Sequence, residues 1–194
     1  MTGAILCGGQ SSRMGKDKGL LKLEAKTWTQ TAMDKMALLS LPVVVSVNAT
    51  QYSDYATIFP SSQLVKDDDS LRLKGPLCGV LSIHLQHPTE DLFVLACDMP
   101  LLDPALLKEL LNQYNGHPSY EAFVYTNENE PEPLCGIYKA RGLSRILNLY
   151  RSGQLSRHSM KFMLEQISSF FVPLTADQKT SFRNFNAHAE LNGL

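Results

Sequence analysis

The chain has 194 residues, enough for one domain that buries about 70% of its unfolded surface and too few for two of ordinary size. Its 44% hydrophobic and 19% charged residues are those of a globular protein, and a net charge of −1 offers no field to collect nucleic acid or a membrane, so an anionic ligand must be held by local charge. No apolar run is long enough to cross a bilayer and no basic segment opens a leader-like stretch, which leads us to expect a cytoplasmic protein without membrane or nucleic-acid partners.

The apolar residues 3–6 read as a strand that opens into Cys7-Gly8-Gly9-Gln10-Ser11-Ser12-Arg13-Met14-Gly15-Lys16-Asp17-Lys18. Gly8 and Gly9 allow the backbone close to a ligand, the serines add hydroxyls, and Arg13, Lys16 and Lys18 supply cations for one polyanion. This is a phosphate-binding loop, although neither the Walker ending nor the dinucleotide fingerprint is present. Apolar spacing then predicts a helix over 28–39, and the apolar, β-branched stretch 42–47 reads as a strand buried on both faces. A weak helix over 52–59 and a short strand over 64–66 lead into the acidic run Asp67-Asp68-Asp69. Gly75-Pro76 breaks the chain before a helix over 77–87, and 91–96 is another buried strand. Asp103 is placed to cap, and Pro104 to start, a helix running to 114. Beyond it the pattern predicts a strand over 122–125, a polar loop over 126–133 and a strand over 134–138. Helices over 141–150 and 158–166, a strand over 170–173 and a short helix from 187 complete the chain. The alternation implies an α/β fold, a single-domain three-layer α/β/α sandwich around a Rossmann-like, mainly parallel sheet, with ligands bound beyond the strands' carboxyl ends.

Asp98 emerges from the strand over 91–96, with Pro100 stopping the chain just after it, so its carboxylate faces that crevice. Nucleoside triphosphates arrive with Mg²⁺, which takes one or two carboxylates plus phosphate oxygens and water, and Asp98 suits that task better than a helix cap. Asn48 and Asp67, each following a strand, can hydrogen-bond a ribose or a base edge; of the three aspartates, Asp67 stands nearest its strand. Cys7, Cys78, Cys97 and Cys135 lack zinc or redox spacing and read as free buried thiols, grouped in space if the motifs converge. The five histidines show no ligand spacing and read as surface or packing residues.

The opening loop resembles the signature of nucleotidyltransferases, and of the molybdenum cofactor guanylyltransferase (MobA) family above all. That family's pattern is Leu-(Ala/Cys)-Gly-Gly, then Ser-x-Arg-Met-Gly, then Asp-Lys, and this chain carries all three pieces in order. Cys97-Asp98-Met99-Pro100 matches the family's Cys-Asp-x-Pro, and Gly75-Pro76-Leu77-Cys78-Gly79 resembles a loop whose backbone helps form the base pocket. Pro133-Leu134-Cys135-Gly136-Ile137-Tyr138 is similar to a segment near the acceptor, and Asn184-Phe185-Asn186 to a terminal Asn-x-Asn. The chain departs from the pattern at Glu24-Ala25-Lys26, where Gly-Lys is usual, and in extra residues before Gly75.

The resemblance implies transfer of GMP from GTP to the terminal phosphate of molybdenum-molybdopterin, with Mg²⁺ as cofactor and molybdenum cofactor delivery proteins as partners. By it Arg13, Lys18 and Asp98 are catalytic, and Asp98 is the metal ligand. GTP falls to Leu6, Cys7, Gly8, Gly9, Lys18, Asn48, Asp67, Gly79 and Asp98, and the acceptor to Pro133, Gly136, Asn184 and Asn186. A cytidylyltransferase or sugar-phosphate nucleotidyltransferase would use the same loop and aspartate. A nucleotide- or pterin-binding module without turnover would keep the loop but have no need of Lys18 and Asp98.

Overall fold

The strand residues alternate between two apolar layers. Ile5, Val45, Val47, Phe93 and Leu95 pack into one, and Ala4, Leu6, Val44, Leu92 and Val94 into the other. The computed structural model describes residues 1–7, 17–23 and 25–182. Its central sheet has seven strands in the order β5-β4-β1-β6-β8-β7-β9, where β1 is Thr2–Leu6, β4 Val43–Val47, β5 Leu64–Lys66, β6 Leu92–Ala96, β7 Ala122–Asn127, β8 Glu130–Tyr138 and β9 Ser169–Pro173. β2 (Lys22–Leu23) and β3 (Lys26–Thr27) form a separate antiparallel ribbon at the departure around Ala25.

Helices cover both faces. α1 (Trp28–Ala37), α2 (Tyr52–Ala56) and α4 (Pro104–Gly116) send Ala32, Met36, Tyr55, Leu106, Leu107 and Leu110 into the first layer. α3 (Pro76–Gln86), α5 (Ala140–Arg151) and α6 (Met160–Glu165) send Leu77, Leu81, Leu143, Ile146, Met160 and Met163 into the second. The fold is α/β with a mixed, mainly parallel sheet flanked by helices, as the alternating pattern implies. Asp103 caps α4 by accepting the Ala105 amide at 2.8 Å, and Thr27 and Gln30 close a capping box on α1.

β1 pairs in parallel with β4 and β6, β4 with β5, and β7 with β9, whereas β8 runs antiparallel to both β6 and β7. The chain travels from β1 outward to β4 and β5 and then returns to β6 on the other side of β1. A crevice therefore opens beyond the carboxyl ends of β1 and β6, at the sheet's topological switch point.

The stretch 126–133 is not a loop. β7 and β8 continue as a hairpin, Thr126 opposite Pro131 and Asn127 opposite Glu130, around Glu128 and Asn129 at φ 51° and 68°. Two successive left-handed residues give the tight turn that matches strand twist, and asparagine tolerates that conformation well. Thr126, Asn127, Glu130, Pro131 and Glu132 are half-buried or exposed, so an apolar pattern could not announce this part of the hairpin. α7 (Ala176–Lys179) and the 3₁₀ turn Thr180–Phe182 also lie outside the sequence expectations, while the helix expected from 187 lies outside the described residues.

Candidate active site

The four parallel strands β5, β4, β1 and β6 end side by side, and the residues just past them are Asp67, Asn48, Cys7 and, one further on after Cys97, Asp98. Three strand spacings separate the ends of β5 and β6, roughly 14 Å, a span that suits an extended nucleoside triphosphate.

At the β6 end, Lys18 Nζ lies 3.8 Å from Asp98 Oδ2, and each side chain is 25% exposed. Asp98 Oδ1 is buried and has no hydrogen-bond partner among the described residues. Burial raises the Asp98 pKa, with the Lys18 charge pulling the other way. A buried acceptor without a donor is costly in an isolated protein, and a cation at that oxygen would relieve the cost. The carboxylate caps no helix, since Asp103 serves α4.

At the β1 end, Gln51 Nε2 donates to the Cys7 carbonyl at 3.0 Å and to the Asp17 carboxylate, tying together the chain on either side of residues 8–16. Asp17 Oδ1 also accepts the Tyr55 hydroxyl at 2.9 Å and the Gly19 amide at 2.9 Å, capping the 3₁₀ turn Lys18–Leu20 that carries Lys18. Thr29 donates to the Gly19 carbonyl at 2.8 Å and its hydroxyl lies 3.3 Å from Cys7 Sγ. Gly19 leaves no room for a side chain, because a Cβ would collide with the Tyr55 hydroxyl and approach Thr29 Oγ1 to 2.7 Å. Burial, with Cys7, Cys97 and Asp17 close by, pushes the Tyr55 phenol far up, which keeps it a neutral donor to Asp17.

At the β4 and β5 ends a cavity of about 780 Å³ is lined by Asn48, Asp67, Asp68, Asp69, Arg72, Lys74, Gly75 and Cys78 among others. Asn48 Oδ1 accepts from the Thr50 amide (3.0 Å), the Thr50 hydroxyl (2.6 Å) and the Gln51 amide (3.0 Å), leaving its Nδ2 as the group to offer a ligand. Asp67 accepts the Ser46 hydroxyl at 3.2 Å, and burial raises its pKa. Asp68 is spent on the Ser70 amide at 2.8 Å and Asp69 is exposed, so Asp67 has the most enclosed carboxylate of the three. Gly75, at φ 74° and ψ −164°, holds a conformation open only to glycine, just before Pro76 starts α3. Gly79 is buried on α3 against β4, where a Cβ would stand 2.5 Å from Ser46 Oγ, so it serves close helix–strand packing.

Leu6 and Cys7 are buried, with the Cys97 amide on the Leu6 carbonyl at 3.1 Å and the Cys7 amide on Ser46 O at 3.1 Å. Pro133 and Gly136 are buried on β8: Tyr138 donates to the Pro133 carbonyl at 2.6 Å, and Gly136 faces Val94 in mid-sheet beneath Val124. These two positions shape β8 and present no polar side chain to the crevice. Gly8, Gly9, Arg13, Asn184 and Asn186 lie outside the described residues. All four cysteines are free and buried; the neighbouring Cys7 thiol and burial raise the Cys97 pKa, whereas Cys78 sits in the opposite core layer, so the four do not form one group. His84 is buried against Ser144 and His117 stacks on Phe170, both in packing roles.

Sequence reasoning passed over Asp17, Gln51, Tyr55 and Lys35. Lys35 Nζ donates to the Met99 carbonyl at 3.1 Å and the Pro100 carbonyl at 2.6 Å, directly after Asp98. A signal for it existed: residue 35 falls on the same helical stripe as Trp28, Ala32 and Met36, where a lysine is out of place. Gln51 and Tyr55 carry no comparable signal.

A family model for the MobA-like NTP transferase domain matches residues 3–169. The chain belongs to the MobA-like NTP transferase family. Among relatives of this transferase, a probable molybdenum cofactor guanylyltransferase of Flavobacterium johnsoniae is 28% identical across 100% of the chain and 96% of its own length. A molybdenum cofactor guanylyltransferase of Campylobacter jejuni is 28% identical over 96% of this chain and 91% of its own. The crystal structure of molybdopterin-guanine dinucleotide biosynthesis protein A from Archaeoglobus fulgidus superposes with a TM-score of 0.75 at 19% identity, covering 100% of this transferase and 96% of that chain. Among the described residues no helix is long and apolar enough to cross a membrane, and no cluster of three or more His, Cys, Asp or Glu side chains is arranged to hold a metal.

Proposed function

We propose that this transferase, acting as one domain, moves GMP from GTP to the terminal phosphate of molybdenum-molybdopterin, forming the guanine dinucleotide cofactor and releasing pyrophosphate. The observation that carries the reading is the pairing of Lys18 with Asp98 at the switch point, with a buried carboxylate oxygen that has no partner among the described residues. The donor set fits Mg²⁺: a single carboxylate suffices when phosphate oxygens and water complete the shell. Bound there, Mg²⁺ would neutralise charge on the triphosphate.

The residues do the rest by alignment, since no covalent intermediate on the protein is needed. The α-phosphorus is attacked by the acceptor phosphate and the pyrophosphate leaves on the opposite side. Lys18, held by the Asp17–Gln51–Tyr55 bonds, offers its ammonium to phosphoryl oxygens as charge builds in the transition state. Arg13 adds a bidentate donor by resemblance to the family. We assign the nucleoside to Asn48 Nδ2 and the Asp67 carboxylate, an assignment supported by both residues lining the cavity beyond β4 and β5. The preference for guanine rests on the resemblance and on the names of the relatives; Mg²⁺ as the working metal and supply of the pterin by cytoplasmic delivery proteins rest on the resemblance alone.

Pyrophosphate release measured with GTP, CTP, ATP and UTP, with and without molybdopterin, tests the reading. Release should require molybdopterin, be greatest with GTP, and yield a product of the dinucleotide's mass. Greater release with CTP would make the protein a cytidylyltransferase, and no release with any pair would end the proposal.

A further inference from the structure

Lys35 is the one lysine among the described residues that is buried, at 8% exposure, and the transfer chemistry has no direct use for it. Its helix packs through Trp28, Ala32 and Met36, so an apolar side chain at position 35 would satisfy the core. A buried ammonium instead carries a desolvation cost, visible in a pKa drawn down to about 8 by burial. Cys135 on β8 and Asp103 at the start of α4 are the charged or titratable groups that face it and partly offset that cost.

What the ammonium obtains is two hydrogen bonds to consecutive carbonyls, Met99 and Pro100. Two successive carbonyls turned to one donor fix the orientation of the peptide units that follow Asp98. Met99 O also accepts the Leu102 amide at 3.2 Å, and on the other side the Cys97 amide is bonded to Leu6 O at 3.1 Å. Asp98 lies between these anchors. Among the described residues its carboxylate has few ties to other side chains, with Oδ1 unpartnered and Lys18 3.8 Å from Oδ2.

We propose that Lys35 is a positioning residue for Asp98: by clamping the Met99 and Pro100 carbonyls it keeps the Asp98 carboxylate in one orientation toward a divalent cation bound with the nucleoside triphosphate. The inference rests on the reading of the site as a metal-assisted nucleotide site. It assigns to α1 a task that an apolar residue could not perform.

The test compares full-length wild type with Lys35→Met, Lys35→Gln and Lys35→Ala by calorimetric GTP binding in Mg²⁺ and in EDTA, without acceptor. The ratio of the two dissociation constants measures metal–nucleotide coupling apart from turnover. Wild type should bind GTP more tightly with Mg²⁺. Lys35→Met should lose most of that gain, about tenfold in the ratio, while its dissociation constant in EDTA stays within about twofold. Lys35→Gln, which keeps a donor, should fall between, and methylammonium should restore part of the coupling to Lys35→Ala. Amide exchange at Leu102 in the ligand-free variants should speed up. Unchanged coupling in Lys35→Met, or a loss in Lys35→Ala that methylammonium leaves untouched, overturns the positioning role. Absence of coupling in the wild type itself overturns the metal-site reading, and this inference with it.

Discussion

Asp98→Asn keeps the shape of the side chain and removes its charge. In the ligand-free protein the carboxylate is held in a site where burial raises its pKa, and its partner is a lysine 3.8 Å away with both side chains 25% exposed. A pair of that exposure is worth at most about 1 kcal/mol, and desolvation of the carboxylate opposes it. Asparagine removes both contributions, so the variant should unfold within about 1 kcal/mol of wild type, which is about 2–4 °C for a chain of this size. A carboxyl with a raised folded pKa stabilises most below the ordinary carboxylate range and loses that contribution as pH rises through the raised value. Wild type should therefore weaken relative to Asp98→Asn between pH 4 and pH 7. Turnover should move the other way, falling 10²- to 10³-fold, about 3–4 kcal/mol on the scale of lost transition-state electrostatics, with GTP binding in EDTA unchanged. Melting curves in EDTA at pH 4, 5 and 7, and pyrophosphate release against Mg²⁺ concentration, read both effects on one preparation. A melting point more than about 5 °C below wild type, with an unchanged Mg²⁺ dependence, would show that Asp98 serves the turn and not a metal.

Lys18→Met should leave the melting temperature nearly unchanged and cost about 3 kcal/mol of transition-state stabilisation; an unchanged kcat would mean that another cation faces the triphosphate. Gly19→Ala should destabilise by about 1–3 kcal/mol and weaken GTP binding, because the new methyl group displaces the Tyr55 hydroxyl from Asp17; wild-type urea midpoints and affinity would remove that clamp from the account. Lys35 has a folded pKa depressed from 10.5 to about 8, so its contribution is present above 10.5 and lost as pH falls through 8. Between pH 8 and 10.5 wild type should accordingly gain on Lys35→Met by up to about 3 kcal/mol, and parallel urea stabilities across that range would contradict it.

The order of strands and helices was legible because burial imposes a period on each segment: apolar runs at Val43–Val47, broken only by Ser46, and at Leu92–Ala96, and a stripe through Trp28, Ala32 and Met36. The place of Asp98 followed from the same logic, since a polar residue that ends a buried parallel strand must face the sheet's carboxyl edge. Asp67, Asp68 and Asp69 were equivalent as letters. Only the fold separated them, by enclosing the first beneath Ser46 and giving the second the Ser70 amide. The reversal of β8, the polar half of its hairpin, the Gln51 bonds to Cys7 and Asp17, and the Lys35 bonds to Met99 and Pro100 were likewise beyond the sequence. Apart from the hairpin, each depends on residues 34 to 65 apart in sequence meeting in three dimensions. Local periodicity records which face of a segment is buried; which distant segment it is buried against is decided by the packing of the whole sheet and its helices.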